Sequence, residues 1–264
     1  MTLRLPRWTC WLGWMAVGLL CWQGFFLARV ALLAVVDPAS TTFERSEWAR
    51  LAQGDTPLQW KQQWVPYAAI APSLKRAVIA SEDDGFAHHD GIDWNAVEKA
   101  WEKNLQAQAR MEKQRQREKP RPVPPHAAPS RASKPGKATK PPKVYGGSTI
   151  TQQLAKNLLL SGERTLLRKG QEFVLTLMLE AMLDKRRIFE IYLNHVEWGE
   201  GVFGAEAAAR RYFRKPAAKL GANEAARLAV MLPRPKYFEK LPNSSYVAGR
   251  AAVIQRRMAS AEIP

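Results

Sequence analysis

The chain has 264 residues, with 40 Lys and Arg against 24 Asp and Glu and a formal net charge of +16. That length holds one domain with a proper core plus accessory segments, and the cationic surplus points to an anionic partner: nucleic acid, anionic lipid or a phosphorylated substrate. Cys10 and Cys21 both lie in one N-terminal apolar stretch, which excludes a disulfide framework or a cysteine metal site in the rest of the chain.

The first element in chain order is a membrane span. No charged residue occurs from Trp8 to Leu27, and about 20 apolar residues cross a bilayer core as a helix. A second apolar run, Val30 to Val36, follows Arg29, whose long side chain can snorkel to the outer interface. Arg4 and Arg7 precede the span with no acidic residue beside them. The positive-inside rule then leaves the N-terminus in the cytoplasm and sends the rest across. A cleaved signal peptide is the competing reading, but the run is longer than a signal core and no small-x-small site follows it. The expected organisation is a cytoplasmic tail over 1–7, a transmembrane anchor over 8–36 and a juxtamembrane connector over 37–64, then a catalytic-size domain over 65–255 and a C-terminal tail over 256–264. Trp48, Leu51, Trp60 and Trp64 supply the connector with apolar anchors.

Pro72-Ser73 precedes a helix expected from Leu74 to near Gly85, and a second helix is expected from Trp94 through Glu98 and Trp101. Residues 110–143 differ sharply: 11 Lys and Arg, 2 Glu and 8 of the chain's 18 prolines, with almost no apolar residue. Such a segment cannot bury enough surface to fold and reads as a disordered, basic, proline-rich insert. Its net +9 is more than half of the whole chain's charge, which weakens a nucleic-acid reading of the folded part. After Gly146-Gly147 come successive helix-length segments separated by Gly, Pro or polar turns, with strand signals nearly absent and no repeats. A compact, mostly α body follows.

Three constellations carry chemistry. The first is Ser81 to Asp93, where Glu82, Asp83 and Asp84 adjoin at a helix end. Neighbouring like charges raise one another's pKa, which suits a general base, although a solvated acidic helix end satisfies the same residues. His88, His89, Asp90 and Asp93 crowd nearby but match no zinc spacing, so no dedicated metal site is expected; a weak divalent cation interaction through the carboxylates stays open. The second is Gly146 to Asn157, where Ser148 or Thr149 can cap a helix with an apolar stripe of Ile150, Leu154 and Leu158. Gln153, Lys156 and Asn157 form an adjoining polar stripe, and such a helix start can hold an anion as readily as it can be an ordinary capped surface helix. The third joins Arg164, Arg168 and Lys169 to Glu172, which sits four residues after Arg168 and three after Lys169. These spacings make helix ion pairs; the apolar Phe173 and Leu177 beyond them suggest that Glu172 borders a pocket. Together, two separated glutamates and a cationic group suit glycosyl transfer from a diphosphate, where a hydroxyl needs a base and the leaving group needs cations.

These motifs resemble the peptidoglycan glycosyltransferases, the family shared by class A penicillin-binding proteins and monofunctional biosynthetic transglycosylases. The first family motif is matched by Glu82, Asp83, Phe86, His89 and Gly91, and the second in full from Gly146 to Gln153, then Lys156 and Asn157. The third is matched by Arg168, Lys169, Glu172, Leu179 and Glu180, with Thr176 in place of alanine. The fourth is matched by Ile188, Glu190, Tyr192, Leu193 and Asn194, with Phe189 in place of leucine. The fifth is seen in Gly201, Gly204, Ala208, Ala209, Tyr212, Phe213 and Lys215. The resemblance spans about residues 65 to 255 outside the insert. It implies a lysozyme-like helical fold behind the anchor, and lipid II and the nascent glycan strand as substrates. By carry-over Glu82 is the base for the acceptor 4-hydroxyl, and Lys156, Arg164, Arg168 and Lys169 hold the donor diphosphate. Glu172 is a second essential carboxylate organising those cations or a metal, and Ser148, Thr149, Gln153 and Asn157 line the donor site. A divalent cation, Mg or Mn, is a possible cofactor. The implied setting is the bacterial inner membrane, with the domain periplasmic and cell-wall synthesis or division proteins as possible partners. The chain ending at Pro264 leads to the expectation of a monofunctional enzyme without a transpeptidase domain. A lysozyme-like lytic enzyme shares the helical fold and a catalytic glutamate and is the main alternative; a membrane-tethered basic binding protein is the second.

Overall fold

A computed structural model describes residues 7–54, 57, 59–117, 147–160 and 165–264. Arg4, Arg164, Gly146 and the larger part of the basic insert lie outside the described residues. Two compact units are present, one of residues 1–92 with 149–264 and one of residues 93–148.

The larger unit begins with α1 (Arg7–Leu32), of which Trp11–Leu32 is long and apolar enough to cross a membrane. The helix runs unbroken through Arg29, and the apolar run beyond Leu32 forms turns rather than more helix. Then come α2 (Thr42–Ala52), β1 (Lys61–Gln62), a single 3-10 turn at Tyr67–Ala69 and α3 (Pro72–Glu82). Pro72 occupies the first turn of α3, where its missing N–H costs nothing. The smaller unit contains α4 (Trp94–Arg117). The larger one resumes with α5 (Ile150–Leu159), α6 (Leu166–Met182), α7 (Lys185–His195), β2 (Glu197–Gly199) and β3 (Val202–Phe203). It closes with α8 (Ala205–Phe213), a 3-10 turn at Ala217–Lys219, α9 (Ala222–Met231), α10 (Pro235–Phe238) and α11 (Ser245–Arg257).

The core lies where α3 packs on α9 and α11, and where α5 packs on α6 and α7. Trp198, Tyr192, Phe86 and Phe189 are among its largest fully buried side chains. One face of α1 joins this core through Phe26 and Val30, followed by Leu33, while Trp11, Trp14 and Leu20 stay exposed. Gln23 of α1 and Gln171 of α6 exchange amide hydrogen bonds of 2.9 and 3.2 Å. Arg187 of α7 donates to the carbonyls of Leu33 and Val36 at 2.8 and 3.0 Å, holding the turns that follow α1.

Four expectations change. The connector over 37–64 is part of the fold. Glu44 of α2 accepts from Thr41 N at 2.6 Å and meets the buried His195 Nδ1 at 2.9 Å, and Trp60 stacks on Phe203 at 4.6 Å. Trp48 is half exposed and anchors little. Strands exist, in a three-stranded sheet of order β1-β3-β2, with β1 parallel and β2 antiparallel to β3. Two- or three-residue strands carry no period by which a sequence reveals them. The sheet closes tightly: Gly201 has φ +70°, and a Cβ there would lie 2.0 Å from the Gln59 carbonyl oxygen. The C-terminal tail is packed, with Met258 and Ala261 buried and Tyr67 Oη donating to the Pro264 carbonyl at 2.9 Å. Finally, α4 continues to Arg117, eight residues into the segment read as insert. Glu, Lys, Gln and Arg over 112–117 are good helix formers, and the first proline comes at Pro120. The remainder of that segment lies outside the described residues.

Candidate active site

Glu82 is the last residue of α3. Its Oε2 accepts from Gln153 Nε2 at 3.1 Å, and its Oε1 faces Ser81 Oγ at 3.4 Å. Burial pushes the Glu82 pKa up; the Gln153 and Ser81 hydrogen bonds oppose this, and the Asp83 charge adds a smaller upward push. Like-charge repulsion, the cause read from the adjacent carboxylates, is thus secondary to desolvation.

The three adjacent carboxylates have three different surroundings. Asp84 is exposed and pairs with Arg257 of α11 at 3.2 Å. Asp83 is buried: Oδ2 accepts from Ile150 N at 2.9 Å, and Oδ1 meets His89 Nε2 at 2.9 Å. Asp83 therefore caps α5 from the end of α3, satisfying an N–H that the helix itself cannot. Thr149, 2% exposed, is the N-cap of α5 in a reciprocal box with Gln152, and its hydroxyl donates to the Gly91 carbonyl at 2.6 Å. Gly91 has φ +85°, and a Cβ there would lie 2.7 Å from Thr176 Cγ2. These contacts set α5 against the end of α3, so that Gln153, one turn in, reaches Glu82. The apolar stripe Ile150, Leu154 and Leu158 is buried as expected; Gln153 and Asn157 are half-buried and Lys156 is exposed. Ser148, exposed, closes the smaller unit immediately before the cap.

The cationic cluster sits in the first turns of α6. Thr165 caps this helix, accepting from Arg168 N at 3.1 Å. Glu172 is 3% exposed, with Arg168 Nη1 at 3.3 Å on Oε2 and the Lys169 ammonium on Oε1. Arg168 is largely buried, and Lys169 reaches solvent. Both Glu172 oxygens thus face cations. Leu166 and Leu167 are 92% and 89% exposed, and Phe173 and Leu177 are partly exposed on the same helix. Glu180, one of the family-motif residues, holds neighbouring segments together: it accepts from Thr151 Oγ1 at 2.6 Å and pairs with Lys185 at 2.8 Å.

The fold thus gathers Glu82 with Gln153 and, separately, Arg168 and Lys169 with Glu172. Arg164 lies outside the described residues. His89 bridges Asp83 and Gly91 N, while His88 is exposed beside Glu262 at 3.3 Å. The site also holds Tyr192 of α7, a family-motif position with no chemical role legible in the sequence, whose Oη donates to Gln153 Oε1 at 3.1 Å. Its signal is a hydroxyl on the face of α7 that carries Ile188 one turn earlier, where a purely structural residue would be phenylalanine or leucine.

The family model described as transglycosylase matches residues 50–114 and 132–259, interrupted only within the basic, proline-rich stretch. The match starts earlier than residue 65, in keeping with the integrated connector. The chain is similar to the biosynthetic peptidoglycan transglycosylase of Burkholderia orbicola (strain MC0-3), 49% identical over all of this chain and 94% of that protein. It is 48% identical to the protein of the same description from Burkholderia cenocepacia (strain HI2424), over all of this chain and 94% of that one. For that of Burkholderia multivorans (strain ATCC 17616 / 249) the figure is 48%, covering 98% of this chain and 92% of the relative.

Proposed function

We propose, for a chain that belongs to the transglycosylase family, that it polymerises the glycan strands of peptidoglycan. Its helical body is of the lysozyme-like class. The donor is the growing glycan on undecaprenyl diphosphate, and the acceptor is the 4-hydroxyl of lipid II. Glu82 removes the acceptor hydroxyl proton as the oxygen attacks the donor's anomeric carbon. The bond from that carbon to the diphosphate oxygen breaks, and undecaprenyl diphosphate leaves with the electron pair. Arg168 and Lys169, with Lys156 and Arg164, balance the charge that grows on the leaving group. Glu172 sets the geometry of the first two. Gln153 and Asn157 line the donor side, and Thr149 shapes the helix start beneath them.

The observation that carries this reading is the difference in charge around the two glutamates. Glu82 has neutral hydrogen-bond donors and a pKa raised by burial, as a base needs. Glu172 has two cations, as a phosphate clamp needs. The test is a gel assay with lipid II and with finished glycan strands. Polymer growth supports the proposal; strand shortening would replace it with the lytic alternative. The same assay with and without Mg or Mn addresses the metal.

For location, α1 anchors the chain in the inner membrane with the N-terminus cytoplasmic and the domain periplasmic. A reporter fused after Pro264 is expected to work only as a periplasmic reporter. A cytoplasmic signal would overturn both the orientation and the substrate, which is polymerised on the outer face.

A further inference from the structure

We infer that Tyr192 is a positioning residue for the transfer reaction: its buried hydroxyl fixes the Gln153 side-chain amide in the orientation that presents an N–H to Glu82. This rests on the reading of Glu82 as base. Tyr192 is 1% exposed, fully enclosed in the core between Phe189 and the α5 side of the site. A hydroxyl buried there is tolerated only if it is hydrogen-bonded. Its partner is Gln153 Oε1 at 3.1 Å, and the same amide's Nε2 is 3.1 Å from Glu82 Oε2.

The chemistry of the three groups gives the chain a direction. An amide can present either oxygen or N–H to the carboxylate. With N–H toward Glu82 it stabilises the ionised form; turned over, its oxygen repels a carboxylate and favours the protonated acid. Tyr192 decides between them by donating to the amide oxygen. It remains a donor across the working range, because burial, reinforced by the Glu82 and Asp83 charges, holds the phenol well above its usual pKa. The net effect is to keep Glu82 able to accept a proton despite its burial, and to hold Oε2 so that Oε1 is left beside Ser81 for the incoming hydroxyl. Among the described residues, the groups that enter this balance are Ser81 from α3, Asp83 just beyond its end, Gln153 from α5 and Tyr192 from α7, with Asp83 itself held by His89 and Ile150 N. Asp84 lies outside it, paired with Arg257 of α11.

The test is lipid II polymerisation by the full chain across pH, for the wild type, Tyr192→Phe, Gln153→Ala, the double variant and Glu82→Gln. Tyr192→Phe keeps the ring and removes only the hydroxyl. Its kcat is expected to fall about tenfold with KM little changed. The acidic limb of its kcat/KM profile should move to higher pH, because the ionised carboxylate has lost support. Gln153→Ala should move the limb in the same direction, and adding Tyr192→Phe to it should change the rate by less than about twofold. Thermal melting of each variant accompanies the kinetics. A Tyr192→Phe protein that melts lower but keeps the wild-type pH profile would show a packing role only and overturn the proposal, as would additive losses in the double variant. Should Tyr192→Phe fail to fold, an unchanged profile in Gln153→Ala overturns it equally. Glu82→Gln separates the two levels. If that variant keeps turnover, the base assignment fails and takes the relay with it; if it is inactive while Tyr192→Phe behaves as wild type, the relay alone fails.

Discussion

The end of α3 and the start of α6 each hold a glutamate with little access to solvent, and they differ in what surrounds it. Glu82 is met by an amide and a hydroxyl, both neutral. Glu172 is met by a guanidinium and an ammonium. Among neutral donors, burial raises the Glu82 pKa and leaves it willing to take a proton; the two cations on Glu172 make that carboxylate a scaffold for positive charge. On the proposed reading, one residue type does acid–base work at one place and electrostatic organisation at the other. Burial alone does not mark the base. Glu197 on β2 is also buried, and its pKa is pushed up to about 7, first by desolvation. Yet it belongs to a staple in which Lys236 bridges it, at 3.5 Å, to Glu47 of α2.

The sharpest way to break the comparison is Glu82→Gln, which preserves size and hydrogen bonding but cannot take the proton. Single-turnover rates should fall about 10²–10⁴-fold, roughly 3–5 kcal/mol, while lipid II binding survives. Near-normal turnover would mean that the neutral niche is not where the proton goes.

On the cationic side, Arg168→Ala should lower turnover about 100-fold and weaken donor binding as well, since a clamp on a diphosphate acts in both ground and transition states. Glu172→Gln should separate those effects. Removing its charge frees Arg168 and Lys169 for the diphosphate, so binding tightens while turnover drops. If the Glu172 variant instead copied Glu82→Gln, with unchanged binding and a lost proton step, the division of roles would be reversed.

Glu197 tests whether a raised pKa without a substrate niche is purely a matter of stability. Unfolded, this carboxyl titrates in the ordinary range; folded, it keeps its proton to about pH 7. Folding therefore takes up a proton between these values, and the stabilisation is fully present below the unfolded value and is lost as pH rises through 7. Melting curves should show stability falling over this window by about 2–3 kcal/mol from this group. Glu197→Gln should flatten that dependence and leave the kcat profile alone; a change in the kcat profile would place Glu197 in the reaction.

The smallest expected effect is at Asp83, the neighbour of the proposed base. Asp83→Asn weakens the cap on α5 and the His89 contact, costing about 1 kcal/mol of stability. Because it moves Gln153 only indirectly, activity should fall far less than with Glu82→Gln. A loss as large as that of Glu82→Gln, in a protein that still folds, would make Asp83 the better candidate for the base.

The sequence alone determined an apolar span near the N-terminus, the helical class and the capped start of α5, because these depend on local composition, period and spacing. The three ion-pairing residues of α6 fall within one helical turn or so, and spacing is enough to place them together. Only the tertiary structure decided that Asp83 caps a helix 67 positions away, that Gln153 reaches Glu82 across 71, and that Tyr192 lies behind Gln153 across 39. It also decided that α2 and β1 belong to the body and that the last residues are packed. The reason is physical: a hydrogen bond between distant segments depends on which helices a shared apolar core brings into register, and no period within either segment records it.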